Sequence, residues 1–355
     1  MRDLPIEEIF LNKAYQYVDV RSPKEFNEAH IPGAVCLPLF SDEERAEIGI
    51  LYANRGPEAA KWRAMEMVSP KIPHLMEGLR KIIRSGKEPA LYCWRGGMRS
   101  KAVATFAGLV GLSGVRLIGG YRAYRQYILE HLNESLIPDH LIYLHGLTGV
   151  GKTKILLALQ ERGWPTVDLE AFANHRGSVF GNFGYGEAYN QKMFDSLLYE
   201  RLCTLKGSPF LILEAESRRI GKATQPDFLL AAREKGVHLL LTADLETRVT
   251  RLYEEYVEPY LSHRDFKPRV EHALTLIAKR ISPAAAQEMA DALNREDYPA
   301  FIRLLLLYYY DPMYRHKQQE YESLYREFDV TDLEKGVGEL ESYLNSEIPE
   351  PLLHP

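Results

Sequence analysis

The chain has 355 residues, 46% of them hydrophobic and 26% charged, with a net charge of −5. These figures describe a globular chain of two domains, with room for a third small unit. No stretch approaches the ~20 apolar residues of a membrane span, and Met1–Pro5 is not a basic patch ahead of an apolar run. A cytoplasmic protein without a membrane partner is therefore expected. The three cysteines, Cys36, Cys93 and Cys203, are far apart and form no CxxC pair, which argues for a reducing compartment and against zinc. The mild acidity gives no global support for nucleic-acid binding, yet a local basic face suffices for phosphate contacts. Arg218-Arg219 with Lys222, Arg264 with Lys267 and Arg269, and Lys279-Arg280 are such patches; solvated surface charge is the plainer reading of each.

Taken in chain order, Tyr15–Val20 reads as a strand ending in Asp19-Val20-Arg21-Ser22-Pro23. Ser22 or Pro23 opens a helix over Lys24–Ala29. His30–Ala34 is a turn and Val35–Leu39 a second strand. Ser41–Gly49 reads as a polar, Glu-rich insertion, followed by a helical stretch through Ile82. Pro89–Cys93 is a buried strand, Ser100–Val110 has helical apolar spacing, and Val115–Ile118 is a strand before Gly119-Gly120. Leu132–His140 reads as a linker. Leu141–Leu144 and Lys154–Glu161 make a strand–loop–helix unit, and Pro165–Leu169, Phe210–Glu214 and Val237–Thr242 are further strands, implying a second parallel sheet. Beyond Leu245 the pattern is helical, apart from a strand signal at Glu327–Val330. The expected division is 1–131, a linker at 132–140, a phosphate-loop core at 141–245, and a mainly helical region at 246–355 packed on that core. The fold class is α/β.

Two loops carry the chemistry. In Tyr92-Cys93-Trp94-Arg95-Gly96-Gly97-Met98-Arg99-Ser100 a cysteine heads a Gly/Arg-rich turn between strand and helix. A thiolate needs such an electropositive place, supplied by backbone N–H groups, a helix N-terminus and nearby guanidinium groups. Cys93 reads as the nucleophile, with Arg95, Gly96, Gly97 and Arg99 binding an oxyanion. Cys36 and Cys203 read as core. Some fifty residues on, Gly146-Leu147-Thr148-Gly149-Val150-Gly151-Lys152-Thr153 fits G-x-x-x-x-G-K-[ST] without a mismatch. Gly146, Gly149 and Gly151 let N–H groups face phosphates, Lys152 neutralises charge, and Thr153 holds a metal or a phosphate oxygen. A nucleotide hydrolase normally carries an Asp after a neighbouring apolar strand; here Phe210–Leu213 is followed by Glu214-Ala215-Glu216-Ser217-Arg218. Nucleotide hydrolysis is not the first expectation.

Asp168, Glu170, His175 and Arg176 stand beyond a strand end, where α/β sites form. With Glu214, Glu216 and Arg218 they are candidates for substrate binding, acid–base work or metal ligation, unranked. Val179–Tyr189 is rich in Gly and aromatics (Phe180, Phe183, Tyr185, Tyr189) and reads as a surface loop or as rings lining an apolar pocket or stacking on bases. Tyr308–Tyr314 reads as core, with RNA contact the alternative.

Asp19–Phe26, Ala29–Ala34, the Cys93 loop and Gly119-Gly120-Tyr121-Arg122-Ala123-Tyr124, in that order, resemble the motifs of rhodanese domains over nearly all of residues 5–128. Cys93 to Arg99 also has the C-x5-R spacing of cysteine phosphatases, although Tyr92 stands where those enzymes usually have His. A rhodanese-like domain joined to a P-loop NTPase-like domain with a helical C-terminal region resembles the tRNA 2-selenouridine synthase family. That resemblance implies a transferase acting on the tRNA anticodon region: wobble 2-thiouridine is geranylated with geranyl diphosphate, then converted to 2-selenouridine with selenium from selenophosphate. It implies an S-selanylcysteine intermediate at Cys93 and a diphosphate cradle at Gly146–Thr153. No tightly bound cofactor is expected; Mg2+ is left open, as is the oligomeric state, with a monomer the default. The alternative is a rhodanese-type sulfurtransferase coupled to a nucleotide-dependent step, and a third reading is a regulatory RNA- or nucleotide-binding module.

Overall fold

A computed structural model describes residues 1–176, 186–313 and 325–347. The expectations for Gly177, Ser178, Val179–Tyr185 and Tyr314 lie outside the described residues. The chain divides into two compact units: residues 1–133 with 189–200, and residues 134–188 with 201–355.

The first unit is built on five parallel strands: β1 (Arg2–Leu4), β2 (Tyr15–Asp19), β3 (Val35–Cys36), β4 (Glu88–Tyr92) and β5 (Val115–Leu117), in the order β1-β5-β4-β2-β3. Asp19 pairs with Tyr92, so the segments after β2 and β4 leave the sheet side by side. The helix Pro23–Glu28 starts with a capping box between Ser22 and Glu25. The Ser41–Gly49 stretch is helical rather than an insertion: Ser41 and Glu44 form a second capping box, and Asp42, Glu43 and Glu44 suit the positive N-terminal end of the helix. That helix runs Asp42–Val68, with a break at Gly56 (φ 81°) before Pro57. β1 escaped the sequence reading because three residues carry little periodicity.

Tyr189–Glu200, expected within the phosphate-loop core, belongs to the first unit. From Gln191 on it lies in the helix Gln191–Thr204, and it buries Met193, Phe194 and Leu198. Tyr199 meets Phe10 at 5.2 Å between ring centroids, Asp195 pairs with Arg125 at 2.5 Å and Lys192 with Glu28 at 2.7 Å.

The second unit holds another five parallel strands: β6 (His140–His145), β7 (Thr166–Val167), β8 (Phe210–Glu214), β11 (Val237–Thr242) and β12 (Tyr325–Asp329), ordered β12-β11-β6-β8-β7. A small antiparallel pair, β9 (Arg219–Ile220) and β10 (Ala223–Thr224), follows β8. β6 begins at His140, inside the expected linker, and β12 brings the region beyond 246 into this sheet. Ile142, Leu144, Ile212, Leu239 and Leu241 of the sheet share a core with Ile155 and Leu159 of the helix Lys152–Glu161 and with Leu340 and Leu344 of the helix Leu333–Glu347. Helices between Leu245 and Leu305 surround a separate core that includes Val249, Ile277, Met289, Phe301 and Leu306.

Candidate functional site

The phosphate loop begins where β6 ends. Leu144 pairs with Glu214, so the loop starts beside the carboxyl end of β8, the place where α/β sheets hold ligands. Gly146, Gly149 and Gly151 have φ of 151°, 80° and 97°. A Cβ on Gly146 would lie 2.8 Å from the Leu241 carbonyl oxygen, so both conformation and space require glycine there. Lys152 opens the helix Lys152–Glu161 and its Nζ donates to the Gly146 carbonyl at 3.0 Å.

Thr153 Oγ1 donates to Glu214 Oε1 at 2.8 Å. Glu214 therefore occupies the place from which a nucleotide-hydrolysing loop takes its Asp, one methylene longer and only 1% exposed. Burial pushes its carboxyl up to about 8, helped by Asp168 and Glu216 and opposed by Lys152 and the Thr153 hydrogen bond. Its Oε2 has no hydrogen-bond partner among the described residues. Glu170 is raised well above the usual carboxylate range by burial, then by Glu214 and Glu216. Asp168 is raised by burial while its Oδ1 caps the helix Leu169–Ala173 through the Ala171 N–H at 2.8 Å. The fold thus gathers Asp168, Glu170, Glu214 and Glu216 around Lys152 and Thr153, though no three acidic, His or Cys side chains among the described residues are arranged to hold a metal.

The other candidates border that cluster, and the His175 N–H donates to the Glu170 carbonyl at 3.1 Å while the Glu216 charge acts on its ring. Burial lowers the His175 pKa, and its ring packs where a Cβ on Gly221 would lie, 2.8 Å away. Arg176 pairs with Glu255 at 2.9 Å and stacks over Tyr256. Arg218 is exposed and ion-paired with Asp227.

Two arginines missed by the sequence reading grip the loop from behind. Both lie on the helix Leu245–Tyr256. Arg248 Nε donates to the Thr148 carbonyl at 2.9 Å and its other nitrogens pair with Asp311 at 3.0 and 2.5 Å. Arg251 donates to the Val150, Val330 and Thr331 carbonyls at 2.7, 2.7 and 2.9 Å. Their three-residue spacing beside Val249 and Leu252 is the one sequence signal, since it sets both on a face that also carries apolar residues. Next to Thr148 lies a small apolar cavity of about 60 Å³, walled by Leu252, Phe266, Tyr298, Ile302 and Leu305 among others. Tyr310 lines it too, whereas Tyr308 is exposed.

In the first unit, Cys93 ends up 3% exposed, its Sγ 3.3 Å from Ser100 Oγ. The closing motif explains the tightness of this loop. A Cβ on Gly120 (φ 60°) would fall 2.1 Å from the Cys93 carbonyl oxygen, and the Tyr121 and Arg122 N–H groups donate to the Cys93 and Trp94 carbonyls at 2.8 and 2.9 Å. Gly96 (φ 63°) packs against Gly119 and Leu117, Gly97 precedes the helix Met98–Leu109 as its N-cap, and Arg95 is exposed.

Arg99 departs from its expected role. Its guanidinium binds Glu25 at 2.5 and 3.1 Å, which leaves it tied to the Pro23–Glu28 helix rather than free for an oxyanion. Burial raises the Glu25 carboxyl, but the Arg99 hydrogen bond and charge outweigh that and hold it below the ordinary value. Arg21 is fully buried, bidentate to Asp19 at 2.6–3.0 Å, and sits over Tyr121. Arg21, Glu25, Arg99 and Tyr121, with Glu28, Arg45, Trp94 and Lys192, line a polar cleft of about 280 Å³.

A cysteine-headed rhodanese loop on one parallel sheet and a phosphate loop on another define a two-domain enzyme of the rhodanese–P-loop kind. Residues 7–127 match the rhodanese-like domain family, and residues 139–332 match the tRNA 2-selenouridine synthase AAA domain family. Proteins named tRNA 2-selenouridine synthase from Bdellovibrio bacteriovorus, Hydrogenovibrio crunogenus and Pseudomonas syringae pv. syringae are 32%, 34% and 30% identical to this chain. The matches cover 84%, 85% and 90% of it and 87%, 89% and 92% of the relatives. The chain belongs to the tRNA 2-selenouridine synthase family.

Proposed function

We propose that this enzyme converts wobble 2-thiouridine in tRNA to 2-selenouridine through an S-geranyl intermediate, and that its two loops serve successive stages. The observation that carries the first stage is the apolar cavity beginning at Thr148 of the phosphate loop, a place for hydrocarbon beside a place for diphosphate. The thiocarbonyl sulfur attacks C1 of geranyl diphosphate. The C1–O bond breaks, its electron pair leaves on diphosphate, and the base loses its N3 proton. Lys152 opposes the charge developing on the leaving group.

In the second stage selenium derived from selenophosphate forms a bond to C2 of the base, and the C2–S bond breaks to release geranylthiol. Cys93 is the proposed carrier, holding selenium as a selenosulfide. Loading that carrier raises selenium from the selenide to the selenosulfide level with a disulfide as the two-electron acceptor and phosphate released from the broken P–Se bond, and a thiol reductant returns the two electrons as selenium passes to the base. The cleft beside Trp94 gathers Arg45, Arg99 and Lys192 for anion capture, an incoming anion taking the place of Glu25 and Glu28, which pair with them in its absence.

A rhodanese-type sulfurtransferase coupled to a nucleotide-dependent step draws support from the Thr153–Glu214 bond, where a metal-holding acid stands in nucleotide hydrolases. One experiment separates the two. The protein is incubated with 2-thiouridine-containing tRNA and geranyl diphosphate without any nucleotide, and the digest is analysed by mass spectrometry. Geranylated nucleoside supports the synthase; its absence, with product appearing only when ATP is added, overturns it in favour of the second reading.

A further inference from the structure

The cleft beside the Cys93 loop takes one of its cations from a distant part of the chain. Lys192 stands in the first turn of the helix Gln191–Thr204, which follows the phosphate loop in sequence yet belongs to the first unit as far as Glu200. Three bonds hold that turn against the end of the helix Pro23–Glu28. Asn190 Nδ2 donates to the Glu28 carbonyl at 2.7 Å, Lys192 Nζ pairs with Glu28 at 2.7 Å, and the His30 N–H donates to Met193 Sδ at 3.3 Å. The cations of the cleft are committed to different degrees. Arg21 is matched by Asp19. Arg99 holds Glu25 through two nitrogens, and Glu25 also accepts from the Ser22 N–H at 3.1 Å. Lys192 meets Glu28 at one point, and the Glu28 side chain is 61% exposed; such a pair contributes little in water and yields to a competing anion. Tyr121 lines the cleft as well, and its buried hydroxyl has no hydrogen-bond partner among the described residues. Burial raises that hydroxyl to about 12, opposed by the charges of Arg21 and Arg125 and reinforced by those of Asp19 and Glu28. The Glu28 carboxylate is thus close enough to act on it.

We propose that Lys192 and the Tyr121 hydroxyl bind a doubly charged, tetrahedral oxyanion of the phosphate class, which takes the seat of the Glu28 carboxylate. The inference rests on the anion-capture reading of the cleft and adds the residues that decide its affinity and the charge it accepts. With Glu28 displaced and Arg21 matched by Asp19, the lining sets three cations, Arg45, Arg99 and Lys192, against one carboxylate, Glu25. The surplus of two positive charges matches a dianion, whereas a carboxylate ligand would only repeat what Glu28 already offers. Tyr121 adds a neutral donor, and an O–H donated to an anionic oxygen makes one of the stronger hydrogen bonds.

The test is a titration of inorganic phosphate and of acetate into the full chain at about pH 8, where phosphate is mostly a dianion. The readout is Trp94 fluorescence with Trp62 and Trp164 replaced by Phe, since Trp94 lines the cleft and is then the only tryptophan. Phosphate should bind tighter than acetate. Lys192→Ala should weaken phosphate binding by about tenfold or more, and Lys192→Arg should recover most of it. Glu28→Gln should tighten phosphate binding by about threefold by removing the resident competitor, a gain that a purely structural Glu28 would not give. Tyr121→Phe should weaken it by about fivefold or more while leaving the urea unfolding midpoint unchanged or raised, because an unpartnered hydroxyl adds nothing to the fold. Unchanged affinity in either Lys192→Ala or Tyr121→Phe, or weaker binding in Glu28→Gln, overturns the proposal. A Lys192-dependent response to tRNA with none to phosphate also overturns it, by assigning the cleft to a backbone phosphate of the nucleic acid. The titration involves no selenium, so the oxyanion site can stand even if Cys93 carries none; that pairing of results would overturn the functional reading alone.

Discussion

Glu214→Gln should change how the stability of the second unit depends on pH. The Glu214 carboxyl is raised from 4.5 to about 8 in the folded chain, chiefly by burial. In the unfolded chain it ionises near its ordinary value. Between these values the unfolded state loses a proton that the folded state keeps, so ionisation favours unfolding. The stability tied to neutral Glu214 is complete below about pH 4.5 and falls by about 1.4 kcal/mol per pH unit until the folded group itself ionises near pH 8. The shift corresponds to a loss of the order of 5 kcal/mol across the window. Glutamine keeps an oxygen to accept from Thr153 and cannot ionise, so the variant lacks this loss. The assay is urea unfolding followed by Trp164, in a background with Trp62 and Trp94 replaced by Phe so that only the second unit reports. Wild type and variant should lie closest near pH 5, and the variant should gain steadily toward pH 8. Parallel pH profiles would refute the claim that Glu214 is held neutral beside the phosphate loop.

Arg248→Met should destabilise the second unit by about 3–5 kcal/mol, because it leaves Asp311, 7% exposed, as an unpaired buried charge. Replacing both residues with apolar side chains should recover most of that loss, as read by the same Trp164 unfolding curves. Gly120→Ala should disorder the cysteine loop, since its Cβ would stand 2.1 Å from the Cys93 carbonyl. Faster alkylation of Cys93 and lost amide protection at Tyr121 and Arg122 are the expected signs; unchanged protection would show that the loop does not depend on this approach.

The sequence made legible whatever is local. Strand ends before glycine-rich loops, the helix-opening Ser22 and the runs Phe210–Glu214 and Val237–Thr242 could be placed from patterning, because each depends on a handful of neighbouring residues. What escaped depends on distance along the chain. Arg248 reaches Thr148 across one hundred residues, and Asp311 completes that grip from farther still. The helical stripe of Met193, Phe194 and Leu198 said that a face is buried, not that it joins the first unit. Arg99 looked like an anion ligand because its motif says so locally; its partner, Glu25, lies seventy-four residues earlier. Ser41–Gly49 is a local misreading, where charge density masks a capping box, and the strands expected over Val35–Leu39 and Pro165–Leu169 shorten to Val35–Cys36 and Thr166–Val167.

The claim that two loops act in succession on one base is tested most directly by paired variants on staged substrates. Cys93→Ser and Lys152→Ala, each first verified as folded, are given tRNA bearing either 2-thiouridine or chemically prepared S-geranyl-2-thiouridine, and the nucleosides are resolved by mass spectrometry. The account predicts that Cys93→Ser geranylates the thiouridine and stops there. It predicts that Lys152→Ala fails at geranylation yet converts the pre-geranylated tRNA to selenouridine. Loss of both steps in either folded variant, or selenium incorporation without Cys93, would contradict the division of labour.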